Sequence, residues 1–205
     1  TQPVLSYTGI NGKLVLETTK YPALVCTLGG DYQVKNAATV LKAVELLKEQ
    51  RYNIPDAAVY EGFANVAELT GLLGRWQVLQ DAPKVICDTG HNTAGIRYVV
   101  GQLEKERFSR LHIVFGMVND KDISGVLSLL PPSANYYFTQ ANIARALAAS
   151  DLQMQAAAFA LKGQTFLSVR DALAAAYAQA APDDLIYIGG SNFIVAEALA
   201  ETKRS

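Results

Sequence analysis

The chain has 205 residues, half of them hydrophobic, with 18 Lys and Arg against 19 Asp and Glu, for a formal charge of −1. That length supplies one full core and part of another, at the usual ~100–200 residues per domain. Near-neutral charge without a basic run excludes a nucleic-acid partner held by electrostatics, and no apolar run approaches the ~20 residues that cross a bilayer.

The chain opens at Thr1 rather than Met and carries no signal-peptide pattern, as expected of a fragment or a processed chain. Val4–Tyr7 and Leu14–Thr18 read as strands around Asn11-Gly12, a two-residue hairpin signal. A further β run at 23–28 ends at Gly29-Gly30. Val34, Ala37, Ala38, Leu41 and Val44 recur at helical spacing, and a second helix is expected from Pro55 to about Glu68. Thr70-Gly71-Leu72-Leu73-Gly74 is a glycine-punctuated connection, and it places a domain boundary between residues 1–70 and 71–205.

Beyond the boundary the pattern alternates. Strands are expected at 76–79, 84–88, 111–115, 135–139, 165–168 and 185–188. Helices are expected at 93–105, 121–130, 143–149, 151–161, 170–181 and 191–202. Such alternation predicts an α/β domain with a mostly parallel six-stranded sheet covered on both faces. Its first strand reaches the second with no crossover helix, which makes it an antiparallel edge strand. Cys26 and Cys87 fall inside apolar strand runs and read as buried free thiols of a reducing compartment, so a cytoplasmic location is expected.

Ligands of open α/β sheets bind beyond the carboxyl ends of the strands. Three strand ends here carry polar, glycine-containing loops: Asp88-Thr89-Gly90-His91-Asn92, Gly116 to Asp122, and Gly189-Gly190-Ser191-Asn192. Each opens a helix, whose free amides and dipole favour an anion. Gly74-Arg75-Trp76-Gln77-Val78 adds a cation thirteen residues before Asp88. Each of these residues also has a plainer reading. Asp88, Asn92 and Ser191 are ordinary helix caps, His91 a loop histidine, Arg75 a surface ion pair, and Asp120-Lys121-Asp122 a solvated charge cluster. His112 lies within an apolar strand and reads as structural. Gly9-Ile10-Asn11-Gly12-Lys13 mimics part of a phosphate-binding loop, but Tyr7 stands where that motif needs glycine and Leu14 where it needs Ser or Thr. It reads as a hairpin turn. No His, Cys or carboxylate spacing suggests a dedicated metal site.

Taken together, Tyr32-Gln33-Val34-Lys35-Asn36-Ala37-Ala38, Gly74 to Val78, Asp88 to Asn92, Gly116 to Asp122 and Gly190-Ser191 resemble, in order, the C-terminal half of bifunctional folylpolyglutamate synthase/dihydrofolate synthases of the Mur ligase superfamily. The resemblance covers nearly all of the chain from residue 29. It implies a Rossmann-like C-terminal domain at 71–205, preceded at 1–70 by the tail of a separate α/β ATPase domain. It also implies an ATP-dependent ligase that adds glutamate to folate or dihydropteroate through an acyl phosphate, with magnesium held by residues outside these 205.

Within the resemblance, Asn36 matches an adenine contact, Arg75 a phosphate contact and Asp88 a nucleotide contact. His91 matches a catalytic histidine near the incoming glutamate, and Ser191 a second contact to that substrate. Asp31-Tyr32-Gln33 departs from the family's Glu-His-Gln, Gly90 from alanine, and Thr93 from proline. The phosphate-binding loop does not occur in this sequence, so the chain alone is not expected to ligate. A monomer is implied for the full-length enzyme, and a non-native oligomer is expected of a fragment with an open sheet edge. Another Mur-type amide ligase and a non-catalytic nucleotide-binding module are the alternatives.

Overall fold

The computed structural model describes residues 4–10, 12–119 and 122–202. Asn11 of the expected hairpin turn and the Asp120-Lys121 pair lie outside the described residues. The chain divides into two compact units, Thr1–Gln77 and Val78–Ser205.

The first unit is a three-stranded antiparallel sheet packed on helices. Strand β1 (Val4–Ile10) pairs with β2 (Lys13–Thr18), and β2 pairs with β3 (Leu24–Cys26). Alternation decides the faces: Leu14, Leu16, Leu24 and Cys26 are buried, while Glu17 and Val25 point to solvent. Helix α1 (Gln33–Glu49) lays Ala37 and Leu41 against this face, and α2 (Asp56–Ala64) adds Val59. Burial of each such leucine stabilises by roughly 2 kcal/mol. Thr18 closes the turn before β3, its Oγ1 donating to the Tyr21 carbonyl at 2.9 Å and accepting from the Tyr21 amide at 2.7 Å. The helix expected from Pro55 to Glu68 is two helices, because Asn65 at φ −124° interrupts α2 before α3 (Val66–Thr70) begins.

The second unit is the expected α/β sheet. Its strands are β4 (Gln77–Asp81), β5 (Lys84–Cys87), β6 (Leu111–Phe115), β7 (Asn135–Phe138), β8 (Gly163–Thr165) and β9 (Leu185–Gly189), in the order β4-β5-β9-β6-β7-β8. The pairs from β5 to β8 are all parallel. β4 stands at one edge, joined to β5 by Ala82-Pro83 alone, a connection too short for a parallel crossover. The central strands Leu111-His112-Ile113-Val114-Phe115 and Leu185-Ile186-Tyr187-Ile188-Gly189 are buried at every position, as strands covered on both faces must be. On one face, α7 (Val169–Gln179) and α8 (Asn192–Thr202) pack Ala172, Ala176, Ile194 and Ala198 against Val85, Val114, Ile186 and Ile188. The remaining helices are α4 (Thr93–Leu103), α5 (Ile123–Leu127) and α6 (Ala149–Ala157), each touching the next.

Three segments differ from the expected elements. The segment 143–148 is loop rather than helix. The last edge strand lies at Gly163–Thr165 rather than 165–168, leaving Leu167 84% exposed. Helix 121–130 shrinks to α5.

His112 is structural, as its setting suggested. It is fully buried at the amino end of the sheet, with Nε2 at 3.2 Å from Asp184 Oδ2 and Nδ1 at 3.0 Å from the Tyr137 hydroxyl. Asp184 also accepts from the Ala181 amide at 2.8 Å and from Arg110 Nη2 at 2.8 Å. Burial alone would push its carboxyl up. The Ala181 amide, Arg110 and His112 outweigh burial and hold it at about 2. This network fastens β6, β7 and β9 at the end of the sheet away from the loops described next.

Candidate functional site

At the opposite, carboxyl end of the sheet, four loops interlock. β5 ends in Cys87, a buried thiol whose pKa burial, aided by the Asp88 charge, pushes up to about 12. The ladder carries on one residue further, the Asp88 amide donating to the Ile188 carbonyl at 3.1 Å. The chain then turns: Asp88 Oδ1 accepts from the Gly90 amide at 2.7 Å, and His91 Nδ1 lies 3.0 Å from the Thr89 carbonyl. Asp88 is buried and His91 half-buried. Asn92 caps α4, its side chain accepting from the Gly95 amide at 2.8 Å. For Asn92 the plain capping reading is therefore correct. The Asp88 carboxylate, through the Gly90 amide, closes the loop that presents His91.

The loop after β9 stands beside this one, because β5 and β9 are paired neighbours. Gly190 has φ +91°, and a Cβ there would meet the Phe115 ring at 2.6 Å and the Gly116 carbonyl at 2.7 Å. Only glycine fits that turn. It delivers Ser191, 3% exposed, to the start of α8. Ser191 Oγ accepts from the Phe193 amide at 3.2 Å and its carbonyl from the Val195 amide at 3.2 Å, so Ser191 is a cap as well as a rim residue.

The loop after β6 joins the first through α5: a Cβ on Gly125 would lie 2.8 Å from the Thr93 methyl. Asp122 caps α5 by accepting from the Gly125 amide at 3.0 Å.

The fourth loop was not anticipated. Ala- and Leu-rich 143–149 reads as helix by propensity, but tertiary hydrogen bonds claim it. Asn119 donates its amide to the Arg145 carbonyl at 3.1 Å, and Leu147 its amide to the Met117 carbonyl at 3.0 Å. The loop places the Arg145 guanidinium 5.0 Å from the centre of the Phe193 ring in the first turn of α8, so a cation stands at this rim that the sequence reading missed. Thr139, fully buried at the base of the same loop, has a hydroxyl without a hydrogen-bond partner among the described residues. The only advance signal for either residue was position just past a strand.

The rim of the second unit thus gathers Asp88, His91 and Ser191 on adjacent strand ends, beside the amino termini of α4 and α8. Both are eleven-residue helices with positive dipole ends. Such an arrangement can hold a phosphate or carboxylate through amides and present an imidazole to it. Asn36 and Arg75 belong to the first unit. Asn36 is exposed on the first turn of α1, its Nδ2 donating to Gln33 Oε1 at 2.7 Å. Arg75 is half-buried between Gly74 and Trp76, both at positive φ, and it already has a contact of its own. An open cleft of about 360 Å³ lies between α7 and α8, lined by Asn142, Ser168, Arg170, Glu197 and Glu201 among others. It includes none of the residues singled out from sequence, and its charged groups have partners: Arg170 with Glu201, Glu197 with the Asn142 amide and Asp171 with the Ser168 hydroxyl. Among the described residues no group of three His, Cys, Asp or Glu could hold a metal ion.

Known proteins supply an independent line. The family described as "Mur ligase, glutamate ligase domain" matches residues 74–192. A probable bifunctional folylpolyglutamate synthase/dihydropteroate synthase of Haloferax volcanii is 32% identical over 173 residues, covering 82% of this chain and 20% of that protein. The dihydrofolate synthase/folylpolyglutamate synthase of Escherichia coli K12 is 31% identical over 166 residues, covering 80% of this chain and 37% of its own length. Among solved structures, the Mycobacterium tuberculosis folylpolyglutamate synthase complexed with ADP superposes with a TM-score of 0.84 at 27% identity, over 98% of this chain and 48% of that one. A bifunctional folylpolyglutamate synthase/dihydrofolate synthase with Mn, AMPPNP and L-glutamate bound gives 0.68 at 28% identity, over 81% of this chain and 39% of that one. The chain spans from about a fifth to about half of the proteins it matches.

Proposed function

This chain belongs to the Mur ligase family through its glutamate ligase domain, and from that premise we propose that it contributes nucleotide and glutamate contacts to an ATP-dependent ligase of the folylpolyglutamate synthase type. The observation that carries the reading is the coincidence of the family match with the interlocked rim: residues 74–192 contain Asp88, His91 and Ser191, the residues gathered there. The ADP, AMPPNP and glutamate in the related structures support nucleotide and amino acid as the ligands.

In this proposal residues 71–205 are the C-terminal ligase domain and residues 1–70 the end of an ATPase domain. Asn36 contacts adenine, Arg75 the phosphates and Asp88 the nucleotide. His91 serves at the incoming glutamate, and Ser191 binds it. The reaction suits these groups. A substrate carboxylate of folate or dihydropteroate is phosphorylated by ATP, and the glutamate amine displaces phosphate from the acyl phosphate. Negative charge spreads over the phosphoryl oxygens in the transition state, and a guanidinium with its planar fork stabilises it. His91, with Nδ1 turned to the Thr89 carbonyl, is left with Nε2 to meet the amine and carry its proton. Magnesium would neutralise phosphate charge. The manganese of the related structure with AMPPNP and L-glutamate supports a divalent ion in the family, and no residue of this chain is assigned to hold it.

No phosphate-binding loop of the Gly-Lys-Ser/Thr type occurs in the 205 residues. The chain alone is therefore expected to bind nucleotide weakly and not to ligate. That same feature favours a second reading, a nucleotide-binding module without catalysis. Incubating the chain with ATP, magnesium, reduced folate and L-glutamate tests the division of labour: no glutamylated product is expected, and ATP-dependent product would refute it. A rise in unfolding temperature with ATP, lost in Arg75→Ala, is expected on either reading. Glutamate addition restored by a separately supplied phosphate-binding half selects the ligase.

A further inference from the structure

We propose that His112 is a buried cation, protonated on both ring nitrogens, and that it forms a pH-sensitive latch tying the end of α7 to the sheet. The directions of the hydrogen bonds carry the inference. The Tyr137 hydroxyl has one proton, and it donates that proton to Gln179 Oε1 at 3.1 Å. Towards His112 Nδ1, 3.0 Å away, the hydroxyl can then only accept, so Nδ1 carries a proton. On the other side of the ring stands Asp184. Its carboxylate accepts from the Arg110 amide at 3.0 Å, from Arg110 Nη2 at 2.8 Å and from the Ala181 amide at 2.8 Å. Ionised, it can only accept from Nε2 at 3.2 Å as well, so Nε2 also carries a proton. A neutral imidazole has one N–H and cannot serve both partners.

The rival arrangement turns the Gln179 amide over, so that the Tyr137 hydroxyl donates to Nδ1 and the ring is neutral. Charge placement favours the first. The side chains of Asp184 and His112 are both fully buried, whereas that of Arg110 is 55% exposed. A buried carboxylate needs a counter-charge buried with it, and His112 supplies one. The other groups of the network are Arg110 before β6, Tyr137 on β7 and the neutral Gln179 on α7; Asp183, bonded to the Ser109 hydroxyl, stands at the exposed side. Gln179 ends α7, and it is held twice, its side chain by Tyr137 and its carbonyl by Arg110 Nη2 at 3.3 Å. When the Nδ1 proton leaves to solvent, the Tyr137 hydroxyl turns to donate to Nδ1, and Gln179 Oε1 loses its donor. The latch is therefore closed while the ring holds both protons and opens as pH rises.

The test is nitrogen NMR of the histidine rings in the full chain at neutral pH and through an alkaline series. The chain has two histidines, so the His91→Gln variant assigns the signals of His112. Both His112 nitrogens are expected to carry a proton at neutral pH. On raising the pH, loss of the Nδ1 proton should shift the amides of residues 177–180 in step. Tyr137→Phe removes the acceptor: Nδ1 should lose its proton at neutral pH, and those amides should exchange several-fold faster. A wild-type ring with a single protonated nitrogen at neutral pH overturns the proposal. So does an Nδ1 proton that leaves without moving those amides, or one held until alkali unfolds the chain. Should Tyr137→Phe fail to fold, the wild-type spectrum and its pH series decide alone. None of these outcomes bears on the ligase reading.

Discussion

The turn at Gly190 offers the sharpest energetic test of how the rim is built. Gly190→Ala puts a side chain on a residue at φ +91° and drives its Cβ to 2.6 Å from the Phe115 ring and 2.7 Å from the Gly116 carbonyl. The backbone strain costs on the order of 1–2 kcal/mol, and the overpacking, with a backbone atom that cannot swing away, costs about 1–3 kcal/mol more. A loss of about 4 kcal/mol follows, or roughly 10–15 °C in the melting temperature of a unit this size. Gly101→Ala is the control in the same unit. Its Cβ would meet nothing within 4 Å, and it lies inside α4. Relief of helix entropy there should stabilise by about 0.5–1 kcal/mol. Calorimetry reads the melting temperature of each variant. A Gly190→Ala melting point within a few degrees of wild type, or a Gly101→Ala loss as large as that of Gly190→Ala, would refute this account of the turn.

Three further outcomes follow from the structure. Asp184 is held at about 2 against an ordinary 3.8, a depressed folded value. Its stabilisation is therefore complete above the unfolded pKa and is lost as pH falls through the folded one. Asp184→Asn should unfold at lower urea than wild type at neutral pH, with the gap closing between about pH 4 and pH 2; a gap constant down to pH 2 would contradict the network. Thr139→Val keeps the shape and removes a buried hydroxyl with no partner among the described residues, so urea unfolding should show stability unchanged or raised by about 1–2 kcal/mol. A loss of that size would mean the hydroxyl is bonded. Cys26 and Cys87 are buried, and burial raises both thiol pKa values, that of Cys87 to about 12. A thiol reagent at pH 8 should modify neither until urea unfolds the chain, and rapid labelling of the native chain would contradict their burial.

Much of this was legible from local pattern. Continuous apolar runs such as Leu111–Phe115 and Leu185–Gly189 can only be strands buried on both sides, and the polar, glycine-bearing segments after them announced the loops. What failed depended on distant partners. The Asn142–Ala148 segment has helical composition, but its backbone is taken by Met117 and Asn119, which no local window contains. Hence the fourth loop, and with it Arg145 and Thr139, stayed hidden. β8 begins at Gly163 because the Tyr136 amide bonds the Lys162 carbonyl, a register set by β7 and not by the apolar Phe166-Leu167 pair that drew the strand two residues late. The Asn65 break between α2 and α3 had no proline or glycine to mark it. Asn92 and Ser191 were legible as caps; the carboxylate-closed loop of Asp88 was not, since an acid at a strand end looks the same before the chain turns.

The most direct test of the central claim is an amide chemical-shift titration of the full chain with magnesium-ADP. The account predicts shifts centred on residues 88–92 and 190–193, with Asn36 and Arg75 among the responders, weakened about tenfold or more in affinity by Asp88→Asn, as loss of a charged hydrogen bond implies. Nucleotide raised to its solubility limit without moving those amides, or moving only another surface, would contradict it.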